Sequence, residues 1–189
     1  MKYTSLRSMD ISNGNYIGCA LFTQGCSIHC KNCFSVQTWD FNGGLEWTDK
    51  EESILFDALS KSYIKRFSIL GGEPLDQAKD LSILLKKVKT KFPDKTIWIY
   101  SGRTFEDNIK DPGKKKCIEL CDIMVDGPFI DELKDFNLHY RGSSNQRIID
   151  IQKSIKEKRI IEIKKIKKNK SGRVFTLPDL FIYSKTLSS

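Results

Sequence analysis

Long apolar stretches are missing from this chain of 189 residues. No run approaches the roughly 18–20 apolar residues that a membrane-spanning helix requires. The opening segment MKYTSLRSMDISNGNY also lacks the apolar core of a secretory signal. We therefore expect a cytoplasmic chain without a membrane segment. In that compartment thiols stay reduced, and clustered cysteines bind metal or take part in chemistry more often than they form disulfides.

Acidic residues are too few to balance the basic ones. The chain has 32 Lys and Arg against 24 Asp and Glu, a net charge of +8. Residues 152–173 contain ten basic and two acidic residues, so the excess lies in this segment alone. It can be a solvated face, or a docking strip for an acidic partner surface or a nucleic acid. We divide the chain into a domain over residues 1–163 and a basic C-terminal extension over residues 164–189.

Short apolar runs alternate with segments of helical periodicity along the domain. A capping-box spacing at Thr48 and Glu51 starts one helix, and apolar residues at 81–88 form the stripe of another. The predicted strands cover residues 16–23, 67–70, 96–100, 123–125 and 148–151. Strands that alternate with helices predict an α/β fold with mainly parallel strands.

Polar and glycine-rich loops follow four of these strands directly. Their sequences are GCSIHCKNC, GGEP, SGR and DGP. Parallel α/β folds bind their ligands at the carboxyl ends of the strands, so we expect the four loops to converge there. A complete eight-unit (β/α) barrel needs at least about 200 residues, and this chain is short for one.

Three cysteines, Cys26, Cys30 and Cys33, form a C-x3-C-x2-C motif in the first loop. Clustered thiolates select zinc or iron–sulfur clusters. A structural zinc site is closed by four ligands, and His29 stands too near Cys30 to serve easily as the fourth. Three cysteines on a four-iron cluster leave one iron open to a small molecule. The spacing favours iron–sulfur over zinc and leaves both open.

The other three cysteines lack such a motif. Cys19 lies in an apolar run, which predicts a buried residue that packs as a small hydrophobe. Cys117 and Cys121 are four residues apart on a predicted helix, and no second C-x2-C stands near them. We therefore expect no auxiliary cluster.

The cysteine motif after one strand and Gly-Gly-Glu-Pro after the next resemble the radical S-adenosylmethionine (SAM) superfamily. In that superfamily three cysteines hold a 4Fe-4S cluster, and SAM binds the fourth iron through its amino and carboxylate groups. The reduced cluster then cleaves SAM. The resemblance implies that the cosubstrate supplies the missing ligand, and that the fold is an incomplete (β/α) barrel of the radical SAM type.

Five segments together resemble the activating proteins of anaerobic (class III) ribonucleoside-triphosphate reductases. They are CKNCFSVQTWDFNGG (30–44), LGGEPL (70–75), WIYSGRTFED (98–107), DIMVDGPF (122–129) and RGSSNQRIID (141–150). Such proteins place a glycyl radical on the reductase by reductive cleavage of SAM. The resemblance therefore implies that reductase as partner and a flavodoxin or ferredoxin as electron donor. We expect neither a membrane nor a nucleic acid as partner.

The resemblance also implies roles for particular residues. Cys26, Cys30 and Cys33 would ligate the cluster, and no catalytic residue is separate from the cluster and SAM sites. The residues implied to bind SAM flank the third cysteine or follow the next two strands: Asn32, Phe34, Gly71, Gly72, Glu73, Ser101 and Gly102. A carboxylate such as that of Glu73 suits the SAM ammonium group. Residues 141–150 would either line the glycine-bearing segment of the partner or hold their own loop by hydrogen bonds.

Three other interpretations stay open. Two of them keep the chemistry: an activase of another glycyl-radical enzyme, and a radical SAM enzyme with a small-molecule substrate. The third, suggested by the lysine-rich segment, is a zinc-stabilised basic nucleic-acid-binding protein. Metal content separates the third from the others, because a 4Fe-4S protein contains about four irons and four sulfides.

Overall fold

A seven-stranded sheet forms the centre of the computed structural model, which describes residues 1–164 and the strand backbone at 167–168 and 174–175. The strands of the sheet are β1 (Lys2–Asp10), β2 (Gly18–Thr23), β3 (Leu45–Glu46), β4 (Arg66–Gly71), β5 (Thr96–Ser101), β6 (Ile123–Asp126) and β7 (Arg147–Asp150). They lie in the order β3-β1-β2-β4-β5-β6-β7. A separate antiparallel pair joins β8 (Lys167–Lys168) to β9 (Val174–Phe175). Apart from this pair and Lys164, the predicted extension lies outside the described residues.

The four central strands, β2, β4, β5 and β6, are mutually parallel. The strands at the two sides, β1, β3 and β7, pair antiparallel with their neighbours. The predicted mixed α/β architecture is confirmed. The sequence prediction missed β1, because the segment KYTSLRSMD has few apolar residues and buries only Tyr3 and Asp10.

Within residues 1–164, five α-helices connect or flank the strands. They are α1 (Asp49–Ser60), α2 (Ala78–Lys91), α3 (Phe105–Asn108), α4 (Pro112–Ile118) and α5 (Ile151–Glu157). Short 3-10 helices cover Val36–Thr38, Pro74–Gln77 and Asp131–Leu133. The predicted capping box at the start of α1 is confirmed. The Lys50 amide donates to Thr48 Oγ1 at 3.3 Å, and the Thr48 amide donates to Glu51 Oε2 at 3.1 Å.

Alternate residues of the central strands pack on opposite faces of the sheet. On one face Phe67 and Ile99 pack in the main core with Leu55 of α1 and Leu85 of α2. A smaller cluster contains the residues of the other phase: Trp98, Ile123, Val125, Ile148 and Ile163. The main core also holds Cys19, Cys117 and Cys121, all with no exposed surface. Cys19 therefore packs as the small buried hydrophobe that the sequence predicts.

Arg66 is the largest charged side chain buried among the described residues, with no exposed surface. Its guanidinium donates to Asp10 Oδ1 at 3.0 Å and to the carbonyls of Asn13 and Asn15 at 2.7 and 2.9 Å. Burial would raise the pKa of Asp10, but hydrogen bonds from Asn13 and Arg66 hold it below its usual value. The Arg66 side chain thereby fixes the chain segment between β1 and β2 against the amino end of β4.

The carboxyl ends of the four parallel strands share one edge of the sheet. These ends are Thr23, Gly71, Ser101 and Asp126. This edge carries the four loops singled out in the sequence, as the α/β pattern predicts. Among the residues that the structure describes, every helix is too short or too polar to cross a bilayer.

Candidate functional site

A cavity of about 220 Å³ opens at the carboxyl edge of the parallel strands. All three cysteines of the C-x3-C-x2-C motif line it. So do residues of the loops that follow the next two strands: Gly71, Gly72, Glu73, Ser101 and Gly102. The structure thus brings together eight of the ten residues that the sequence singles out.

Close backbone approach explains the paired glycines of GGEP. The Gly72 amide donates to the Thr23 carbonyl at 3.0 Å, and the Glu73 amide donates to the Gly25 carbonyl at 2.8 Å. A Cβ atom on Gly72 would lie 2.1 Å from the Gly25 carbonyl oxygen. Gly71 has φ of +120°, a conformation that L side chains rarely adopt. Only glycine therefore lets the end of β4 join the cysteine loop so closely.

Glu73 is a fully buried carboxylate in the wall of the cavity. It accepts hydrogen bonds from the amides of Gly102, at 2.8 Å, and Leu75, at 3.2 Å. Burial raises its pKa, although these amide contacts act in the opposite direction. Within residues 1–164, no Lys or Arg forms an ion pair with it, so its charge faces the cavity uncompensated.

The three thiols suit an iron–sulfur cluster both in their chemistry and in their burial and hydrogen bonding. All are free, Cys26 is buried, and Cys30 and Cys33 are half-buried. The Ile28 amide donates to Cys26 Sγ at 3.5 Å, and the Ser35 amide donates to Cys33 Sγ at 3.3 Å. Hydrogen bonds to the sulfurs tune the reduction potential of such clusters. These residues are therefore equipped to hold a cluster.

A single metal ion finds no ready site in the same part of the chain. Among residues 1–164, no three His, Cys, Asp or Glu side chains are placed to hold one metal ion. Thiolates on one zinc stand about 4 Å apart, since each Zn–S bond is about 2.3 Å long. Cysteines on a four-iron cluster bind separate irons and stand farther apart. The metal content of the reconstituted protein therefore decides between zinc and an iron–sulfur cluster.

Comparison with known proteins adds an independent line of support. The family model of the 4Fe-4S single cluster domain matches residues 12–149. Anaerobic ribonucleoside-triphosphate reductase-activating proteins match over nearly their whole length. That of Vibrio cholerae is 36% identical over 152 residues, 78% of this chain and 97% of the relative. Those of Escherichia coli K12 and phage T4 are 33% and 35% identical over 150 residues, covering 96% and 93% of the relatives and 77% and 78% of this chain.

This chain belongs to the family of anaerobic ribonucleoside-triphosphate reductase-activating proteins. The membership agrees with the resemblance found in the sequence, and it assigns a 4Fe-4S domain to most of the chain.

Two residues expected at the SAM site, Asn32 and Phe34, do not line the cavity in this member of the family. The Asn32 side chain donates to Asp131 Oδ2 at 2.7 Å, and the Phe34 side chain is 98% exposed. Asn32 also has a left-handed φ of +54°. A contact between these two residues and SAM stays a prediction.

Sequence reasoning missed several residues that complete the cavity wall. They include Phe22, Thr38, Trp39, Tyr100, Phe129 and Gln146. Trp39 stacks on His29 of the cysteine loop, with 4.4 Å between ring centroids. The alternation of residues along β5 could have placed Tyr100 on the same face of the strand as Trp98.

Residues 141–150 hold their own loop by hydrogen bonds. Gln146 Oε1 accepts from the Gly142 amide at 2.8 Å, and Gln146 Nε2 donates to the Gly127 carbonyl at 3.0 Å. Asn145 Nδ2 donates to the Pro128 carbonyl at 2.8 Å. The RGSSNQ motif therefore fastens the loop after β6 to the start of β7, and Gln146 also reaches the cavity.

Proposed function

We propose that this chain activates an anaerobic ribonucleoside-triphosphate reductase by placing a glycyl radical on it. One observation carries the proposal: the three free thiols and the buried, uncompensated carboxylate of Glu73 line the same cavity. When bound there, a reduced 4Fe-4S cluster supplies the electron that cleaves SAM. The chain contributes binding, orientation and the exclusion of water.

Cys26, Cys30 and Cys33 hold the cluster in this proposal. Glu73 faces the ammonium group of SAM, because a buried carboxylate without a basic partner favours a cationic ligand. Gly71, Gly72, Ser101 and Gly102 bring backbone and hydroxyl groups to the same ligand, and we retain Asn32 and Phe34 as adenosine-side contacts.

Unpaired polar groups in the cavity wall also support a bound ligand. Trp39 Nε1 and Tyr100 OH are buried and have no hydrogen-bond partner in the described structure. Both residues line the cavity. Buried donors normally find partners, so a ligand with acceptor atoms is expected beside them.

The finer architecture forms part of the proposal. We propose that the open sheet is an incomplete (β/α) barrel of the radical SAM type. Its domain covers residues 1–163, since the Ile163 amide still donates to the Ile148 carbonyl of β7 at 2.7 Å. Residues 164–189 form a basic extension. The protein acts in the cytoplasm, with a flavodoxin or ferredoxin as its electron donor.

The test uses anaerobically reconstituted protein, assayed for iron, sulfide and zinc. We expect about four irons and four sulfides per chain, SAM cleavage with dithionite, and a glycyl radical doublet in the EPR spectrum of the added reductase. SAM cleavage without a doublet would transfer the proposal to another glycyl-radical enzyme or a small substrate. One zinc per chain after reconstitution, with no bound iron, would support the nucleic-acid-binding alternative instead. Cys33→Ala removes one of the proposed cluster ligands. Its matched control is Cys19→Ala, because Cys19 lies in the core and not in the cavity.

A further inference from the structure

We propose that Ser27, Asp76 and Arg103 form a polar clamp that positions the cysteine loop and tunes the reduction potential of the group the cysteines hold. The inference rests on the proposed function, since it assumes a cluster on Cys26, Cys30 and Cys33. These residues come from three separate segments: the cysteine loop, the 3-10 helix after GGEP and the loop after β5.

The clamp is a closed set of hydrogen bonds. Asp76 Oδ2 accepts from the Ser27 amide at 2.9 Å and from the Ser27 hydroxyl. Arg103 Nη2 donates to the same hydroxyl at 2.8 Å, and Arg103 Nη1 donates to Asp76 Oδ1 at 3.3 Å. Each side chain thus contacts both others, and their relative positions are fixed by three pairs of contacts.

The clamp acts on the first cluster ligand because Ser27 follows Cys26 directly. The backbone amide of Ser27 donates to Asp76, and the Asp76 side chain is only 11% exposed. The Arg103 amide is in turn fixed by Ser101 Oγ at 3.1 Å. Groups that orient metal ligands in this way affect metal retention about 10–100-fold when they are replaced.

The charges of the clamp predict a change in the reduction potential of the cluster, which a purely structural role of these residues would not predict. The carboxylate of Asp76 meets two cations, Arg103 and Lys114, with Lys114 Nζ 3.6 Å from Asp76 Oδ1. A negative charge beside a cluster disfavours the added electron, and a positive charge favours it. Loss of the Asp76 charge should raise the reduction potential. Loss of the Arg103 charge should lower it.

The experiment compares Asp76→Asn, Arg103→Gln and Arg103→Lys with the wild-type chain after anaerobic reconstitution. Two quantities are measured: the midpoint potential, followed optically, and the rate of iron release to a chelator. Asp76→Asn should raise the potential, Arg103→Gln should lower it, and Arg103→Lys should keep the wild-type value. Iron release should be roughly 10-fold faster in Asp76→Asn and Arg103→Gln.

Two further variants complete the set. Ser27→Ala changes no charge, so it should speed iron release and leave the potential near that of the wild type. Asp57→Asn is the matched control, since Asp57 forms an exposed ion pair with Lys61 on α1 and lies outside the cavity. It should change neither quantity.

The outcomes distinguish this inference from the proposed function. If wild-type protein binds no iron–sulfur cluster, the proposed function fails and the clamp fails with it. If the wild type loads a cluster but Asp76→Asn and Arg103→Gln shift the potential in the same direction or not at all, the clamp alone is overturned. Should Asp76→Asn fail to fold by circular dichroism, a lowered potential in Arg103→Gln beside a wild-type potential in Arg103→Lys still decides the matter.

Discussion

Two buried carboxylates at opposite ends of the parallel strands differ in how their charges are balanced. Asp10 lies at the amino ends beside Arg66, which donates to it at 3.0 Å. Glu73 lies at the carboxyl ends, and it accepts hydrogen bonds from backbone amides and from Ser101 but has no basic partner among residues 1–164. One charge is balanced by a basic side chain, and the other has no basic partner among the described residues. In the proposed function, the amino end of this sheet contributes stability and the carboxyl end contributes ligand binding.

The largest effect is expected at the balanced pair. Arg66→Met removes the buried cation and leaves Asp10 with only the exposed Arg7, 3.7 Å away. Breaking a buried pair in this way costs about 3–5 kcal/mol. Urea denaturation of the metal-free protein, followed by circular dichroism, measures the loss. Lys61→Met is the control, because Lys61 belongs to an exposed pair on α1. Equal losses in the two variants would show that the buried pair stabilises the fold no more than an exposed pair does.

A smaller effect is expected when the unbalanced charge is removed. Glu73→Gln keeps the size of the side chain but loses the charge that, in the proposed function, faces the SAM ammonium group. Charge-assisted hydrogen bonds contribute about 1.5–3 kcal/mol, so SAM should bind roughly 10–100-fold more weakly. Equilibrium binding of SAM to cluster-loaded protein measures this. Unchanged affinity would remove Glu73 from the site, and Glu46→Gln, at an exposed carboxylate on β3, serves as the control.

The two carboxylates should also respond to pH in opposite directions. The pKa of Glu73 is raised above 4.5, so its buried charge destabilises the fold progressively as pH rises through that folded pKa. The pKa of Asp10 is lowered below 3.8, so its stabilising contribution is complete above 3.8 and is lost as pH falls through the folded value.

Denaturation of metal-free protein across a pH series tests this. The stability of Glu73→Gln relative to the wild type should increase as pH rises from about 4.5. The stability deficit of Asp10→Asn should shrink as pH falls below about 3.8. Parallel curves for either variant and the wild type would contradict the assignment of that carboxylate.

The smallest effect is expected for an exposed pair near the cavity. Lys31 Nζ lies 3.1 Å from Glu132 Oε1, and both side chains are more than half exposed. Such pairs contribute under about 1 kcal/mol, so Glu132→Gln should hardly change the urea midpoint. A loss comparable to that of Arg66→Met would show that exposure does not set the scale of these charge effects.

Local sequence predicted the parts of this molecule whose signals are contiguous. The capping box at Thr48, the four parallel strands and the cysteine motif were all readable, because each depends on residues close together in the chain. Strand β1 was not readable, since its place beside β2 comes from pairing and from burial of Asp10 against Arg66, 56 residues away. The exposure of the Phe34 side chain was not readable either, because it depends on the path that the loop takes in three dimensions.

The sequence by itself determined the chemistry available to this protein: three thiols at a compact spacing, a glycine pair before a glutamate, and family motifs over most of the chain. Only the tertiary structure decided which charges are balanced. It placed Arg66 beside Asp10, left Glu73 facing the cavity, and joined Ser27, Asp76 and Arg103 from three separate segments. The physical reason is that burial and ion pairing depend on distances between segments, and the order of residues along a chain does not contain those distances.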